Sequence, residues 1–116
     1  MKLGHIELFV NDPLEAKEFY TTVLGFKLID VQANKYVWIE TGSISILLRP
    51  GTGKDTQNTY GDATAGLVLY TEDLDRIAQE LTVRGLKFRG NDGSPQCLTF
   101  TDPDGHWFQL VNPQDH

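Results

Sequence analysis

Imidazole and thiol groups, which can bind a metal ion or take part in catalysis, are few in this 116-residue chain. His5, His106 and His116 supply imidazole, and Cys97 alone supplies a thiol. A single cysteine can form neither an internal disulfide nor a multi-cysteine zinc site, and a lone thiol fits a reducing compartment. We therefore expect Cys97 to be a half-buried strand residue, and the sequence identifies no catalytic residue.

His5 belongs to a segment in which polar and apolar side chains alternate. Residues 3–10 place His5, Glu7 and Phe9 on one side and aliphatic side chains on the other. A period of two is typical of a strand with one buried face. The three residues are therefore predicted to share the opposite face of that strand.

Capping residues and periodicity locate the elements that must position these side chains. Asp12 and Pro13 begin a predicted helix, because aspartate accepts hydrogen bonds from free backbone N–H groups and proline suits the first helical position. Gly25 ends it, since glycine tolerates the left-handed conformation common after helices. Strands are predicted at residues 26–32, 35–41 and 44–49.

The same order of elements recurs after residues 51–64, a segment without periodicity that we interpret as a linker. Asp73 corresponds to Asp12, and Gly85 lies 60 residues after Gly25. The second half is predicted to contain a strand at 65–71, a helix ending at Gly85, and strands near 86–90, 96–102 and 106–111.

This internal repeat predicts the architecture. Self-similarity at such a period indicates two copies of one supersecondary unit. We expect a single α+β domain over residues 1–116, with βαβββ modules at 1–50 and 65–113 that form a curved, eight-stranded mixed sheet. Because a helix covers one face of each module, the other faces of the strands are expected to enclose a cleft.

The charge balance limits the kinds of partner. Ten Lys and Arg residues against 16 Asp and Glu residues give a net charge of −6. Nucleic acids and anionic membranes require basic patches, so neither is expected, and a small-molecule ligand is favoured, mildly a cationic one. The longest apolar run, residues 65–70, is far below the roughly 20 residues that span a bilayer. Without a signal-peptide core, the protein is expected to be cytoplasmic.

Three segments carry a family resemblance, in the order HIELFVND, FYTTVLGF and FTDPDGHWFQLVNP. Within a duplicated βαβββ pattern, the chain resembles the vicinal oxygen chelate superfamily, which contains glyoxalase I, extradiol dioxygenases, fosfomycin-resistance enzymes and bleomycin-resistance proteins. The resemblance covers residues 3–113 and implies the fold of that family and a homodimer. It does not define a reaction, because function resides in sites that differ among proteins of one fold.

Metal enzymes of this family take up to four metal ligands from the first and fourth strands of each half. The resemblance places these positions at His5, Leu47, Gly66 and Gln109. Leu47 and Gly66 have no side-chain donor, and a neutral amide binds a divalent metal poorly. The resemblance therefore implies no metal cofactor, with His5 and Gln109 as the candidate ligands if a divalent metal does bind.

Alternation along the strands brings aromatic and polar side chains to the predicted cleft. Aromatic walls with a few carboxylates and amides suit a flat or cationic organic molecule. Gly66, a glycine within an apolar strand, indicates close approach by a backbone or a ligand and leaves room in the cleft. The alternative is that the aromatic side chains fill the sheet interior or a dimer contact. The predicted ligand-binding residues are His5, Glu7, Phe9, Trp38, Leu47, Gly66, Tyr70, Trp107 and Gln109.

These residues and the resemblance support two main functions. The first is a metal-independent protein, similar to the bleomycin-resistance branch, that sequesters a small organic ligand in the cleft. The alternative is a metal-dependent lyase or dioxygenase, of the glyoxalase I or extradiol dioxygenase type, with a degenerate site. A third, a sensor or structural subunit, has no positive feature in the sequence. We favour the first because two of the four ligand positions lack a donor.

Overall fold

The structure is a computed structural model that describes residues 1–51 and 57–115. The chain divides into two compact units, Met1–Lys54 and Asp55–His116. Their boundary falls within the segment predicted as a linker, while the module boundaries proposed from the sequence stay a prediction. Among the described residues, no helix has the length and apolarity needed to cross a membrane.

The first unit is built on a four-stranded sheet. Its strands are β1 (Ile6–Val10), β2 (Lys27–Gln32), β3 (Tyr36–Glu40) and β4 (Ile46–Pro50). Their order is β1-β4-β3-β2, in which β1 is parallel to β4 and the other neighbours are antiparallel. Helix α1 (Pro13–Glu18) continues into a π-helical turn (Phe19–Val23) and packs against β3 and β4.

Local sequence signals explain where this helical segment begins and ends. The Asp12 carboxylate accepts hydrogen bonds from the backbone N–H groups of Leu14 and Glu15, at 3.1 and 3.4 Å. Gly25 adopts a left-handed conformation with a φ of 77°. Both features are those predicted from the sequence, whereas the π-helical turn between them has no signal there.

The second unit repeats the order of elements around a three-stranded sheet. Its elements are β5 (Leu67–Tyr70), α2 (Leu74–Val83), β6 (Leu98–Thr101) and β7 (Trp107–Val111). Strand β7 lies between β5, to which it is parallel, and β6, to which it is antiparallel. Asp73 caps α2 by accepting from the N–H of Arg76 at 3.3 Å, and Gly85 ends it with a φ of 102°. The α+β class and the duplicated order are therefore confirmed.

The predicted strand at residues 86–90 is not a regular strand, so the described residues form seven strands in two sheets instead of eight in one. The segment still lies beside β6. The Arg89 N–H donates to the Thr99 carbonyl at 2.7 Å, and the Thr99 N–H donates to the Gly90 carbonyl at 3.2 Å. Two residues thus face one, as in a β-bulge. Gly90 has a φ of 80°, outside the extended region, so the regular ladder is interrupted there and resumes only as the isolated antiparallel bridge between Asn91 and Leu98.

Alternation separates a buried face from an accessible face in the first sheet. The buried face is apolar, and none of its central residues is more than 7% exposed: Leu8, Val10, Val37, Ile39 and Leu48. Side chains at the intervening positions, such as Phe9 with 48% exposure, lie on the other face. In the second unit, β7 is buried along its whole length. The accessible face of the first sheet is therefore the natural place to look for a site.

Candidate ligand-binding site

Five of the predicted ligand-binding residues lie on the accessible face of the first sheet. Leu47 is at its centre, in register with Glu7 of β1 on one side and Trp38 of β3 on the other. Alternation adds His5 and Phe9 to the same face. Because Leu47 is only 6% exposed, it forms the floor of this surface and its neighbours form the accessible part.

A chain of polar contacts crosses this face. Glu7 Oε1 accepts from Arg49 Nη1 at 3.0 Å, and Glu7 Oε2 lies 2.8 Å from His5 Nε2. The hydrogen bond with His5, and after it the one with Arg49, lowers the pKa of the Glu7 carboxyl from its ordinary value. The carboxylate is thus compensated within its own unit. The mild preference expected for a cationic ligand loses its main support at this position.

Arg49 lies close to two aromatic rings. Its guanidinium carbon lies 5.3 Å from the centre of the Phe9 ring and 5.7 Å from that of Tyr36, both within cation–π range. Arg49 Nε is buried and has no hydrogen-bond partner among the described residues. The side chain is 37% exposed, so the flat guanidinium is part of the surface. The aromatic face, as we name it, consists of His5, Glu7, Phe9, Tyr36, Trp38, Leu47 and Arg49.

Trp38 is fixed on the aromatic face by two contacts. Its ring meets His5 edge to face, with centroids 4.8 Å apart and an interplanar angle of 64°. The indole Nε1 donates to the side-chain oxygen of Gln32 at 3.2 Å. Trp38 remains half-buried. Its ring is therefore oriented in advance, which lowers the conformational cost of binding a flat molecule against it.

Trp107, in the second unit, is enclosed by its neighbours and is 3% exposed. The Arg89 guanidinium lies 4.7 Å from its ring centre, and Tyr60 approaches edge-on with centroids 6.2 Å apart. The indole Nε1 donates to the Gln57 carbonyl at 3.0 Å. These contacts fit the alternative in which aromatic side chains fill the sheet interior, and a ligand-binding role for Trp107 stays a prediction.

Gly66 marks a close approach, and the group that approaches is a side chain of the same unit. Tyr60 belongs to a 3₁₀ turn (Tyr60–Asp62), and its ring carbon Cζ would lie 2.6 Å from a Cβ added at Gly66. A methyl group at that position would overlap the ring. The expectation that Gly66 leaves room in the cleft is therefore wrong, because Tyr60 occupies the space.

Gln109 is buried on β7 and is oriented by a carboxylate. Its Nε2 donates to Asp92 Oδ2 at 3.1 Å, and the residue is 3% exposed. Its Oε1 is buried and has no hydrogen-bond partner in the part of the chain that the structure describes. Because the Gln109 nitrogen is fixed by Asp92, the Gln109 oxygen points in one defined direction and can accept a hydrogen bond there.

Tyr70 ends β5 and is 72% exposed. The structure thus brings together five predicted residues on the aromatic face of the first unit. The remaining four belong to the second unit: Gly66, Tyr70, Trp107 and Gln109.

Three residues that contact the aromatic rings were not predicted. Arg49 could have been found, because it follows Leu47 by two residues on one strand and so shares its face. Tyr60 lies in a segment without periodicity. The only sequence feature that points to its position is Gly66, because the absence of a side chain there makes room for a ring. Arg89 lies at a bulge, which no periodic pattern reveals.

The metal-ligand positions implied by the resemblance do not fit a divalent metal. Leu47 and Gly66 offer no donor atom, and the amide nitrogen of Gln109 already donates to a carboxylate. Across residues 1–51 and 57–115, no group of three His, Cys, Asp or Glu side chains lies close enough to hold a metal ion. We therefore assign no chemical step through a metal to this site.

Comparison with known proteins identifies the family to which the chain belongs. Residues 2–110 match the Glyoxalase/Bleomycin resistance protein/Dioxygenase superfamily. The chain belongs to this superfamily, and the predicted family is confirmed. No curated protein sequence gives a significant match.

Solved structures share the fold at low sequence identity. Lactoylglutathione lyase from Agrobacterium tumefaciens has a TM-score of 0.73 and 14% identity, over 97% of this chain and 94% of that one. TnmS3, an antibiotic binding protein from Streptomyces sp. CB03234, has a TM-score of 0.70 and 24% identity, over 97% and 98%. A mutant of the fosfomycin resistance protein FosX from Listeria monocytogenes, complexed with Mn(II) and 1S,2S-dihydroxypropylphosphonic acid, has a TM-score of 0.72 and 20% identity, over 95% and 88%. At these identities the likeness establishes the fold and not the activity.

Proposed function

We propose that this protein binds a small organic molecule with a planar ring system on the aromatic face and sequesters it without breaking a bond. The observation that carries the proposal is a set of partly exposed rings, Phe9, Tyr36 and Trp38, around the compensated pair of Glu7 and Arg49. Aromatic rings combined with a few oriented polar groups are typical of small-molecule sites.

The charges on the aromatic face favour a ring system with little net charge. Glu7 is compensated by Arg49 at 3.0 Å, so the Glu7 carboxylate is not free to pair with a cationic group on the ligand. The guanidinium carbon of Arg49 lies within cation–π distance of the Phe9 and Tyr36 rings, and the exposed part of this planar group can also stack on a planar ligand. Contact area with rings then contributes more to affinity than ion pairing does.

Sequestration on this face requires no metal, which agrees with the small number of metal-donor atoms at the positions implied by the resemblance. Two of the four implied ligand positions, Leu47 and Gly66, carry no donor atom. The description of the Streptomyces protein as antibiotic-binding supports a binding role on this fold. The lyase and the Mn(II)-bound fosfomycin resistance protein represent the enzymatic alternative, for which this chain lacks the donors.

Protection by sequestration follows from mass action alone. A molecule held on the aromatic face is unavailable to its target, and no catalytic residue is needed. A ligand at 100 times its dissociation constant stabilises the folded state by about 2.7 kcal/mol. Thermal unfolding therefore reports binding directly, even before a natural ligand is known.

The experiment uses three probes that share one ring system and differ in charge: 2-naphthol, 2-naphthoate and 2-naphthylmethylammonium. Chelator-treated protein should bind 2-naphthol in thermal-shift and calorimetric titrations, and the cation should bind no more tightly than the neutral probe. Trp38→Ala should weaken binding about tenfold, which corresponds to about 1.4 kcal/mol of lost ring contact. Trp38→Phe should restore most of the affinity because it retains an aromatic ring.

Leu14→Ala is the control, since Leu14 is an exposed residue of α1 and lies outside the aromatic face. Equal weakening by both alanine variants would contradict the proposed location. Stoichiometric metal in the purified protein, with binding lost on chelation, would contradict metal independence. Turnover of thiol-aldehyde adducts, catechols or epoxides with added Ni²⁺, Zn²⁺, Fe²⁺ or Mn²⁺ would support the enzymatic alternative instead.

A further inference from the structure

Two aspartates of the chain, Asp92 and Asp104, are followed directly by glycine. An aspartyl side chain can react with the amide nitrogen of the next residue, and glycine hinders this attack least because it has no side chain. The reaction is favoured where the segment is exposed and where the attacking nitrogen is not already engaged as a hydrogen-bond donor. Because the two sequences are of the same type, their surroundings decide which of them reacts.

Asp92 and Gly93 lie at the tip of the turn that precedes β6. The last pairing before the tip is the isolated bridge between Asn91 and Leu98, and the Asp92 N–H donates to the Cys97 carbonyl at 2.9 Å. Asp92 and Gly93 are both exposed. Among the described residues, the Gly93 N–H donates to no acceptor. Its nitrogen is therefore available to attack the side chain of Asp92.

The surroundings of Asp104 and Gly105 are different. The Gly105 N–H donates to the Asp102 carbonyl at 3.1 Å, which engages the nitrogen that would have to attack. The buried Asp102 carboxylate accepts from the N–H groups of Asp104 and His106 at 3.0 and 2.8 Å. These hydrogen bonds hold the backbone of this turn on both sides of Gly105, so the same reaction is hindered there.

We propose that Asp92 is a site of spontaneous covalent modification, at which aspartate isomerises to isoaspartate through a cyclic imide. The Gly93 nitrogen attacks Cγ of the protonated carboxyl group. A C–N bond forms, a C–O bond breaks, and the amide proton leaves with the hydroxyl group as water. Solvent water then opens the ring at either carbonyl: opening at Cγ returns aspartate, and opening at the main-chain carbonyl leaves isoaspartate. The net change requires no oxidant or reductant.

The Gln109 side chain restrains this reaction and loses a partner when it occurs. Its Nε2 donates to Asp92 Oδ2 at 3.1 Å, and Gln109 is only 3% exposed. The carboxylate must leave this hydrogen bond before Cγ can meet the Gly93 nitrogen. In isoaspartate the main chain runs through Cγ and the carboxylate is moved to the former main-chain carbon, so the Gln109 nitrogen no longer has its acceptor. A buried donor without a partner destabilises the folded state.

The proposal is independent of the proposed ligand-binding function. Asp92, Gly93 and Gln109 belong to the second unit, whereas the aromatic face belongs to the first. Isoaspartate content and naphthol binding are separate measurements, so either proposal can fail while the other stands.

Ageing the folded chain in heavy-oxygen water tests the proposal. Each passage through the imide adds one heavy oxygen to the aspartate concerned, whichever way the ring opens. Trypsin cleaves after Arg89, and no Lys or Arg lies between residues 90 and 116, so one peptide contains both Asp92 and Asp104. After digestion in ordinary water, fragment masses should place the label at Asp92. Asp104 should be labelled at least about tenfold more slowly, because the hydrogen bond of the Gly105 nitrogen must first be broken.

An isoaspartyl methyltransferase with S-adenosylmethionine detects the product, and it should methylate the aged chain but not the fresh one. Asp92→Glu should abolish this methylation, because the longer side chain would have to close a larger and less favourable ring. Asp104→Glu is the matched control, which makes the same change at the other Asp-Gly sequence and should leave the methylation unchanged.

Gln109→Leu tests the restraint, since it removes the donor and keeps a side chain of similar size in the buried position. Labelling of Asp92 should accelerate by up to about tenfold with the loss of this hydrogen bond, whereas labelling of Asp104 in the same chain should not change. Circular dichroism establishes that the variant is folded. The isomerised wild-type chain should have a lower urea midpoint than the unmodified chain, and this decrease should be smaller in Gln109→Leu, which has no amide to lose its partner.

Equal labelling of Asp92 and Asp104 in the folded chain would overturn the proposal, because the surroundings of the two sequences would then make no difference. It would also be overturned if Asp92 stayed unlabelled in the folded chain while urea-unfolded chain became labelled there, since the fold would then block the reaction. Labelling of Asp92 that Gln109→Leu leaves unchanged would show that Gln109 does not restrain it.

Discussion

At the scale of single residues, the polar contacts of the aromatic face centre on Glu7, whose carboxylate pairs with both His5 and Arg49. Alternation predicts that Glu7 lies beside His5 and Phe9, and the structure places it there. The sequence does not show that Arg49 approaches it at 3.0 Å, because that contact joins residues of two strands 42 positions apart. The Glu7 carboxylate, which the sequence predicts to be available to a ligand, is in fact paired with Arg49 and His5.

We expect Glu7→Gln to make folding less sensitive to acid. The folded-state pKa of Glu7 is lowered from the ordinary 4.5, so the ionised carboxylate stabilises the native state above that value. This contribution is lost as pH falls through the lower, folded-state pKa. Urea midpoints of wild type and variant should differ at neutral pH, with the wild type higher, and converge in acid.

Glu72→Gln serves as the control for this comparison, since Glu72 is exposed and belongs to none of the ion pairs among the described residues. Its urea midpoint should follow that of the wild type across the titration. A Glu7→Gln difference that stays constant from neutral to acid pH would show that the ion pair does not contribute in the way described.

At the scale of elements, each unit contains a glycine against which an aromatic ring packs. In the first unit, a Cβ at Gly51 would collide with the side chain of Phe9, and in the second, Tyr60 fills the space beside Gly66. Such contacts fix where a connecting segment lies against its sheet. They also explain why glycine is required at these two positions without any special backbone angle.

A double-mutant cycle tests the Tyr60–Gly66 contact. Gly66→Ala should destabilise the wild type by about 1 kcal/mol, because the added methyl group displaces a packed ring. In a Tyr60→Ala background the same change should stabilise by about 0.5 kcal/mol, since alanine reduces the entropy of the unfolded chain. Urea unfolding of the four proteins gives the coupling energy.

Gly61→Ala is the control for this cycle, because a Cβ at Gly61 meets no atom within 4 Å and its φ is not left-handed. It should have the same small effect in both backgrounds. Additivity of Gly66→Ala and Tyr60→Ala would mean that the ring does not limit the space at Gly66.

Local sequence signals predicted where the helices begin and end, whereas the wrong strand prediction concerns pairing between segments that are distant in the sequence. The helix limits at Asp12, Gly25, Asp73 and Gly85 depend on neighbouring backbone groups, so the sequence reveals them. The strand expected at residues 86–90 fails because the positive φ of Gly90 interrupts the ladder opposite β6. A glycine after an apolar run does not by itself show which backbone angle it adopts.

At the scale of the whole molecule, the duplication is the feature that the sequence shows best. Offsets between matching glycines and aspartates predicted two units with one order of elements, and both sheets place a parallel pair beside an antiparallel one. The sequence did not predict which unit leaves its aromatic side chains accessible. The side chains around Trp107 close over it, whereas those around Trp38 leave it partly open.

Hydrogen exchange should show a stable centre in each unit. Strands β4 and β7 are bonded to a neighbour on both sides, so their amides open only when the sheet unfolds. Amides of Leu48 and Leu110 should exchange at least about tenfold more slowly than the outward-facing amides of edge strand β5. Slow amides confined to one of the two sheets would contradict the view that each unit has its own core.

Ionic strength should have little influence on binding at the aromatic face. The chain carries a net charge of −6. Glu7 and Arg49 nevertheless cancel at 3.0 Å, well inside the screening length of about 8 Å in physiological salt. An uncharged molecule approaching them experiences no long-range attraction for salt to weaken. If the proposed ligand is neutral, its dissociation constant should therefore be the same in low and in physiological salt, although the chain carries an excess of acidic residues.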